Sequence, residues 1–367
     1  MAQSGNDWAL IDCNLTQVSR AKNRLLEILD RHNVRQLKFV CLTHYDADHL
    51  RGMADLLKTR FCRPGKEADD PSNWLVGQLV QPFRASLVAK AMGRLEAIIE
   101  RIHKSKVDLD FSSEAIAFLK LTRRMLLDGY DPRTIERTYL ATYSAPSILR
   151  TPKNFGGRAL FGPFEVCFLA PEYETIELLE EKAFETFWSA NWNLPEEMLK
   201  SVTKNDASLV IVFRHLYSPH AMIFAGDTTT KSWPQVFRRW MELCSYGLQP
   251  GQDSKWKHFH IIKVSHHGSL EGHSDELYSE WVVPKKSIPV ISCLPNDDKH
   301  PCGPLLSCLA SSGLNYQRTG KGSGVRRPLR RGVLPGRPVS DESGSCRDIR
   351  LVLKPGSEIP EIHYDGL

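Results

Sequence analysis

The segment Thr43-His44-Tyr45-Asp46-Ala47-Asp48-His49 packs four side chains able to bind a metal into six consecutive residues, directly after the apolar run Leu37 to Leu42. A single His or Asp in such a loop reads as a solvated polar group. Two imidazoles and two carboxylates together after an apolar strand read as a metal site. In an extended loop His44, Asp46 and Asp48 alternate and face one side, while His49 is free to point elsewhere. That spacing suits two metal ions, each fed by one part of the loop. A carboxylate-rich donor set of this kind is hard, which suits Mn²⁺ alongside Zn²⁺.

Further candidates stand at the ends of other apolar runs. Gly226-Asp227 follows Ala221 to Ala225; an Asp there reads equally well as a helix N-cap, with Thr228 to Thr230 competing for that role. Lys263-Val264-Ser265-His266-His267-Gly268-Ser269 follows Phe259 to Ile262, and its His pair is the stronger candidate. Lys263 itself reads as a phosphate contact or as a charged strand-edge residue. His300, before Pro301, reads as a proton donor or as a packed loop histidine. Asn205-Asp206-Ala207-Ser208 precedes a further apolar run.

The elements that must position these residues alternate strand and helix. Apolar runs predict strands at 8–13, 37–43, 164–169, 208–213, 221–225, 259–264, 288–293 and 349–353. Helical periodicity predicts helices over 17–31, after His49 with Met53, Leu56 and Leu57 on one face, over about 174–190, and after Asp227 with Trp233, Val236, Phe237 and Trp240. Strand, polar loop, helix is the layout of an α/β site at strand carboxyl ends. Residues 62–150 differ: amphipathic helices over 86–103 and 114–127 read as a helical insertion or cap. The chain divides into a first half at 1–61, this insertion at 62–150, and a second half at 151–367. The second half carries a Gly-, Pro- and Arg-rich loop at 318–347 with Arg326, Arg327, Arg330, Arg331 and Arg337.

Composition bounds the function. The chain has 367 residues, 41% hydrophobic and 25% charged, the proportions of a soluble globular protein. No stretch approaches the roughly 18–20 apolar residues of a spanning helix, and no signal peptide is evident at the start. Nine cysteines without a CxxC pair read as reduced thiols of a cytoplasmic protein. Lys and Arg outnumber Asp and Glu by 48 to 43, a net +5 that permits an anionic partner such as nucleic acid. The basic loop is an additional place to grip a phosphate backbone.

Taken in order, HxDxDH, N-D-x-S-L-V, A-G-D, K-V-x-H-H-G-S and H-P resemble the metallo-β-lactamase superfamily. Within it they resemble the branch that includes the hydrolase domain of ComEC-type DNA-uptake proteins. The resemblance covers about residues 8–55 and 160–320 and the tail near 349–353. It implies an αββα sandwich with two divalent ions along one edge. His44 and Asp46 would serve the first ion, Asp48 and His49 the second, Asp227 would bridge them, and His266 would complete the second site. His267 would bind metal instead or contact substrate. The usual pattern has His where Asp46 stands and a further His before the G-D; here the Asn205 to Ser208 element takes that place. Asp12-Cys13-Asn14 stands where the family has Asp-x-Gly, which makes Asp12 an orienting residue. No strand is evident before residue 8, so the first sheet is expected to lack an edge strand or the chain to be truncated.

The resemblance implies a metal-dependent hydrolase of phosphodiesters, with DNA as the expected substrate. A water acidified by two divalent ions would attack the phosphorus. Asp48 would bind metal and orient that water, His300 would donate a proton to the leaving oxygen, and Lys263, Asn205, Ser208 and His267 would contact substrate. Two alternatives stand beside it. One is a hydrolase of a small ester, lactone, β-lactam or cyclic nucleotide, with the helical insertion as its lid. The other is a non-catalytic metal-binding module.

Overall fold

The computed structural model describes residues 2–4, 7–13, 19–62, 75–76, 79–81, 117–118, 121, 147–148, 160–171, 175, 205–245, 257–292, 300–314, 316–318, 348–352 and 361–365. They fall into two compact units, Met1–Gly162 with Pro171–Leu209, and Pro163–Ala170 with Val210–Leu367. Each is mixed α/β.

The first unit is built on one small sheet. β1 (Ala2–Ser4) pairs antiparallel with β2 (Asp7–Ile11), which runs parallel to β3 (Phe39–Cys41), which runs parallel to β4 (Leu79–Val80). Ala2 lies opposite Ala9, so β1 covers the edge of β2; the expectation that this sheet lacks an edge strand is corrected. β1 is short and polar, and no apolar run marks it in the sequence. α1 (Ser19–Arg31) links β2 to β3, and Leu29 is 1% exposed while Leu25, Leu26 and Ile28 pack partly buried against the same core. After β3 come α2 (Ala47–Leu50) and α3 (Met53–Arg60), separated by Gly52 at φ 75°, a backbone that glycine adopts without strain. Met53, Leu56 and Leu57 are buried, as their helical spacing predicts. Phe118 and Leu121 are also buried in this core. The rest of the expected helix over 114–127 lies outside the described residues, as do the helix over 86–103, all but Thr175 of the helix over 174–190, and the loop beyond Arg318. β5 (Ser147–Ile148) and β6 (Leu160–Phe161) are two-residue strands.

The second unit carries a larger sheet, in the order β12 (Gln317–Arg318), β11 (Ile288–Ile291), β10 (Ile261–Lys263), β9 (Ala221–Phe224), β8 (Val210–His215), β7 (Phe164–Ala170). β7, β8 and β9 are antiparallel neighbours; β9 to β12 run parallel. All seven residues of β7 are buried, which is why its side chains read as a continuous apolar run with one exception, Glu165. That carboxylate faces Arg214 across the strand pair, and Arg214 also donates to the Leu243 carbonyl at 2.8 Å. α4 (Trp233–Ser245) buries Trp233, Val236, Phe237, Trp240 and Leu243, the stripe its periodicity predicts. Phe237 stacks on Trp281 at 5.0 Å between ring centres. α5 (Asp275–Glu280) and α6 (Gly303–Ser311) follow β10 and β11; neither is marked by periodicity in the sequence. The expected strand near 349–353 is present as β13 (Asp348–Val352), paired with β14 (Glu361–Asp365). Among the described residues no helix is long and apolar enough to cross a membrane.

Candidate metal centre

In the first unit the candidate residues gather at the carboxyl ends of the parallel strands. β2 ends in Asp12, whose φ of 54° turns the chain sharply. β3 runs on through Leu42 into Thr43 and His44. Asp12 N–H donates to the Cys41 carbonyl at 2.8 Å and Cys13 N–H to the His49 carbonyl at 2.7 Å, so the two strand ends are locked together. The loop is not extended throughout. Asp46 is extended at φ −82°, ψ 149°, but from Ala47 the backbone turns helical, with His49 N–H and Leu50 N–H donating to the Asp46 carbonyl. This corrects the reading of strict alternation: Asp48 and His49 sit on a helical turn.

The side chains form one hydrogen-bonded group around Asp12. Its Oδ1 accepts from Thr43 N–H at 2.7 Å, and its Oδ2 from Thr43 Oγ1 at 2.7 Å and from His49 Nδ1 at 2.8 Å. Burial raises the Asp12 pKa, but His49 by charge and hydrogen bond, His44 by charge, and the Thr43 N–H outweigh it, and the carboxyl is held below its ordinary value. A carboxylate can only accept, so His49 Nδ1 carries the hydrogen and Nε2 presents its lone pair. That Nε2 lies 3.6 Å from Asp48 Oδ2. His44 Nε2 lies 3.5 Å from Asp46 Oδ2, and the two imidazole rings tilt together at 4.1 Å. His44 is 1% exposed, while the Asp46 and Asp48 side chains are 29% and 41% exposed. Asn205 to Ser208 join the same unit: Leu209 N–H donates to the Thr43 carbonyl at 2.9 Å, and Ser208 and Asp206 are buried.

The second unit repeats the logic. β9 ends at Phe224, Gly226 takes φ 52°, and Asp227 is 3% exposed. α4 starts only at Trp233, so Asp227 is not its N-cap. After β10, Ser265 to Gly268 form a tight 3₁₀ turn in which His266 and His267 take φ of 45° and 54°. Two consecutive left-handed residues with side chains cost about 1–3 kcal/mol each, and the turn is held by His266 N–H to the Gly226 carbonyl and Ser265 Oγ to the Thr228 carbonyl. His266 Nε2 lies 3.8 Å from Asp227 Oδ2, and donor atoms of Asp227 and His267 lie within 4.8 Å. His267 Nδ1 lies 2.7 Å from the Ser292 carbonyl after β11, so it too carries the hydrogen. Cys302 N–H donates to the Gly268 carbonyl, and the His300 ring sits 6.2 Å from His266 and 6.4 Å from His267. Lys263 Nζ donates to the Val264 carbonyl at 2.9 Å.

His49 and His267 are thus held by Nδ1, and His49 and His266 bring Nε2 within 4 Å of a carboxylate oxygen. Metal-ligating histidines are oriented by such hydrogen bonds to their other ring nitrogen, and the donor set fits divalent ions. Residues 1–116 match the family model of the metallo-beta-lactamase superfamily. The match covers Asp12 and the whole His44 to His49 group. The metallo-beta-lactamase superfamily is mostly hydrolytic metalloenzymes, which points to metal-dependent hydrolysis. No curated protein matches the chain. Sequence reasoning missed Thr43 and Ser292, the partners that fix Asp12 and His267. Thr43 directly precedes the motif, which was a usable signal; Ser292 lies 25 residues from His267, and no signal marked it.

Proposed function

We propose that this protein is a metal-dependent phosphodiesterase acting on nucleic acid, DNA being the expected substrate. The observation that carries the metal chemistry is the hydrogen bond from His49 Nδ1 to Asp12, which fixes the ring with Nε2 3.6 Å from Asp48 Oδ2. The phosphodiester reading is supported by the resemblance to the ComEC-type branch and by the net charge of +5. In the first unit His44 and Asp46 would hold one ion and Asp48 and His49 another; in the second, Asp227 and either His266 or His267 would offer metal ligands. When bound, two divalent ions would supply Lewis acidity and lower the pKa of a water towards neutrality.

The chain's own residues do the rest. Asp12 keeps His49 in one tautomer and one orientation through the reaction. Asp48, more exposed than the histidines, would orient the attacking water. His300, with its ring near both histidines of the turn, would hold the proton for the leaving oxygen. Lys263 would exchange its carbonyl partner for a phosphate oxygen, and Asn205 and Ser208 would contact the substrate beside the loop.

The test compares wild type with Asp48→Ala after metal stripping. Mn²⁺, Zn²⁺ or Mg²⁺ is restored with supercoiled plasmid and single-stranded DNA as substrates. Metal-dependent cleavage by wild type, reduced at least 100-fold in Asp48→Ala, is expected (about 3 kcal/mol of transition-state stabilisation). A folded, metal-binding wild type that cleaves neither DNA overturns the nucleic-acid reading; turnover of a small chromogenic phosphodiester would then leave the hydrolase standing.

A further inference from the structure

Outside the centre described above, the second unit brings together His273, Asp275 and Cys308, with one donor atom from each lying within 4.8 Å of the others. We propose that these three residues form a separate Zn²⁺ site that staples α5 to α6, its remaining position filled by water. The donors are unlike one another and arrive from three places: the loop before α5, the first residue of α5, and the middle of α6. An imidazole nitrogen, a carboxylate oxygen and a thiolate sulfur form a mixed set suited to zinc, and too soft for Mg²⁺ or Ca²⁺.

Two observations argue for a metal over a chance polar contact. The first is His273 itself. Its side chain is only 7% exposed, its Nε2 lies 2.8 Å from Asp275 Oδ1, and its Nδ1 is buried with no hydrogen-bond partner. A buried imidazole whose Nε2 already faces a carboxylate is placed to share a cation with it. The second is the order of the groups. Cys308 is hydrogen-bonded to Asp275, so the carboxylate stands between thiol and imidazole. A divalent cation held there would neutralise Asp275 and take the thiolate form of Cys308 as its soft ligand. On binding, the Cys308 thiol proton passes to solvent through the exposed face of Asp275, whose side chain is 87% exposed. The site closes the contact between α5 and α6 that Ser312 Oγ also makes to the Tyr278 carbonyl.

Cobalt alone, titrated into the full chain, tests this without reference to hydrolysis. Wild type is expected to show a thiolate-to-cobalt charge-transfer band, absent in Cys308→Ser, and to bind one zinc more per chain than that variant. Asp275→Asn changes an exposed residue and guards against a Cys308 variant that does not fold. It should need about tenfold more cobalt to reach half the band. No thiolate band in wild type, a band that survives Cys308→Ser, or an unchanged titration in Asp275→Asn overturns the proposal.

Discussion

Asp12 accepts from three donors at once, and each of its oxygens is committed: Oδ1 to the Thr43 amide, Oδ2 to the Thr43 hydroxyl and His49. Asn keeps the size and tolerates the left-handed backbone at φ 54°. It offers only one acceptor oxygen, so either Thr43 or His49 faces an amide N–H₂ instead. His49 then loses the partner that holds its hydrogen on Nδ1. Asp12→Asn is expected to weaken metal binding about 10- to 100-fold, read by competition with a chromogenic chelator; an affinity equal to wild type counts against the orienting role. At this scale the sequence was informative. The four candidate ligands of the 43–49 loop stand out by residue identity and spacing, and the resemblance alone suggested an orienting place for Asp12. The tautomers could not, because they depend on Thr43 and on a carbonyl at Ser292 that only the fold brings within reach.

The elements are held by less obvious groups. Glu165 and Arg214 face one another on β7 and β8, with Glu165 fully buried and the Arg214 side chain 12% exposed. Removing one partner of such a pair strands the other charge, so Glu165→Ala is expected to cost about 3–5 kcal/mol in a denaturant titration. A loss below about 1 kcal/mol would mean that water reaches Arg214. Gly268 matters for a different reason. At φ 84°, a methyl added there would meet Leu305 and Pro301 at 2.9 Å each. Gly268→Ala is expected to cost about 2–4 kcal/mol and to misplace the His266–His267 turn. The strands that carry these groups were legible as apolar runs, since parallel and central strands bury both faces. β1, β14, α5 and α6 were not. β1 is three residues long, α5 six, and α6 has an almost uniformly apolar and small composition. None carries the periodic signal that longer amphipathic elements do.

Acid sensitivity of the second unit's stability follows from His260, which is 4% exposed between β9 and β10. Its N–H donates to the Ala221 carbonyl and its carbonyl accepts from Ile288, so it is fixed to the sheet by its backbone. Its ring lies 4.8 Å from that of His220. Burial, then the charges of His220, His258 and Lys286, lower its pKa from 6.5 to about 4, against a small opposing hydrogen bond. The folded state therefore holds this imidazole neutral where the unfolded chain would protonate it. Its contribution to stability is complete above pH 6.5, because both states are then neutral there. Between pH 6.5 and about 4 the unfolded state binds the extra proton, and stability falls as the pH falls. His260 alone would account for up to about 3 kcal/mol of that loss. Metal-free protein, unfolded in denaturant at several pH values, should lose stability across this window. His260→Gln removes the titrating group, so its stability should fall less steeply between pH 6.5 and 4, the remaining slope coming from other groups, His215 and His258 among them, whose pKa values are also lowered. An identical slope in both proteins would mean that the buried imidazole is already charged when folded, and that water or a carboxylate reaches it from a side the sheet does not cover.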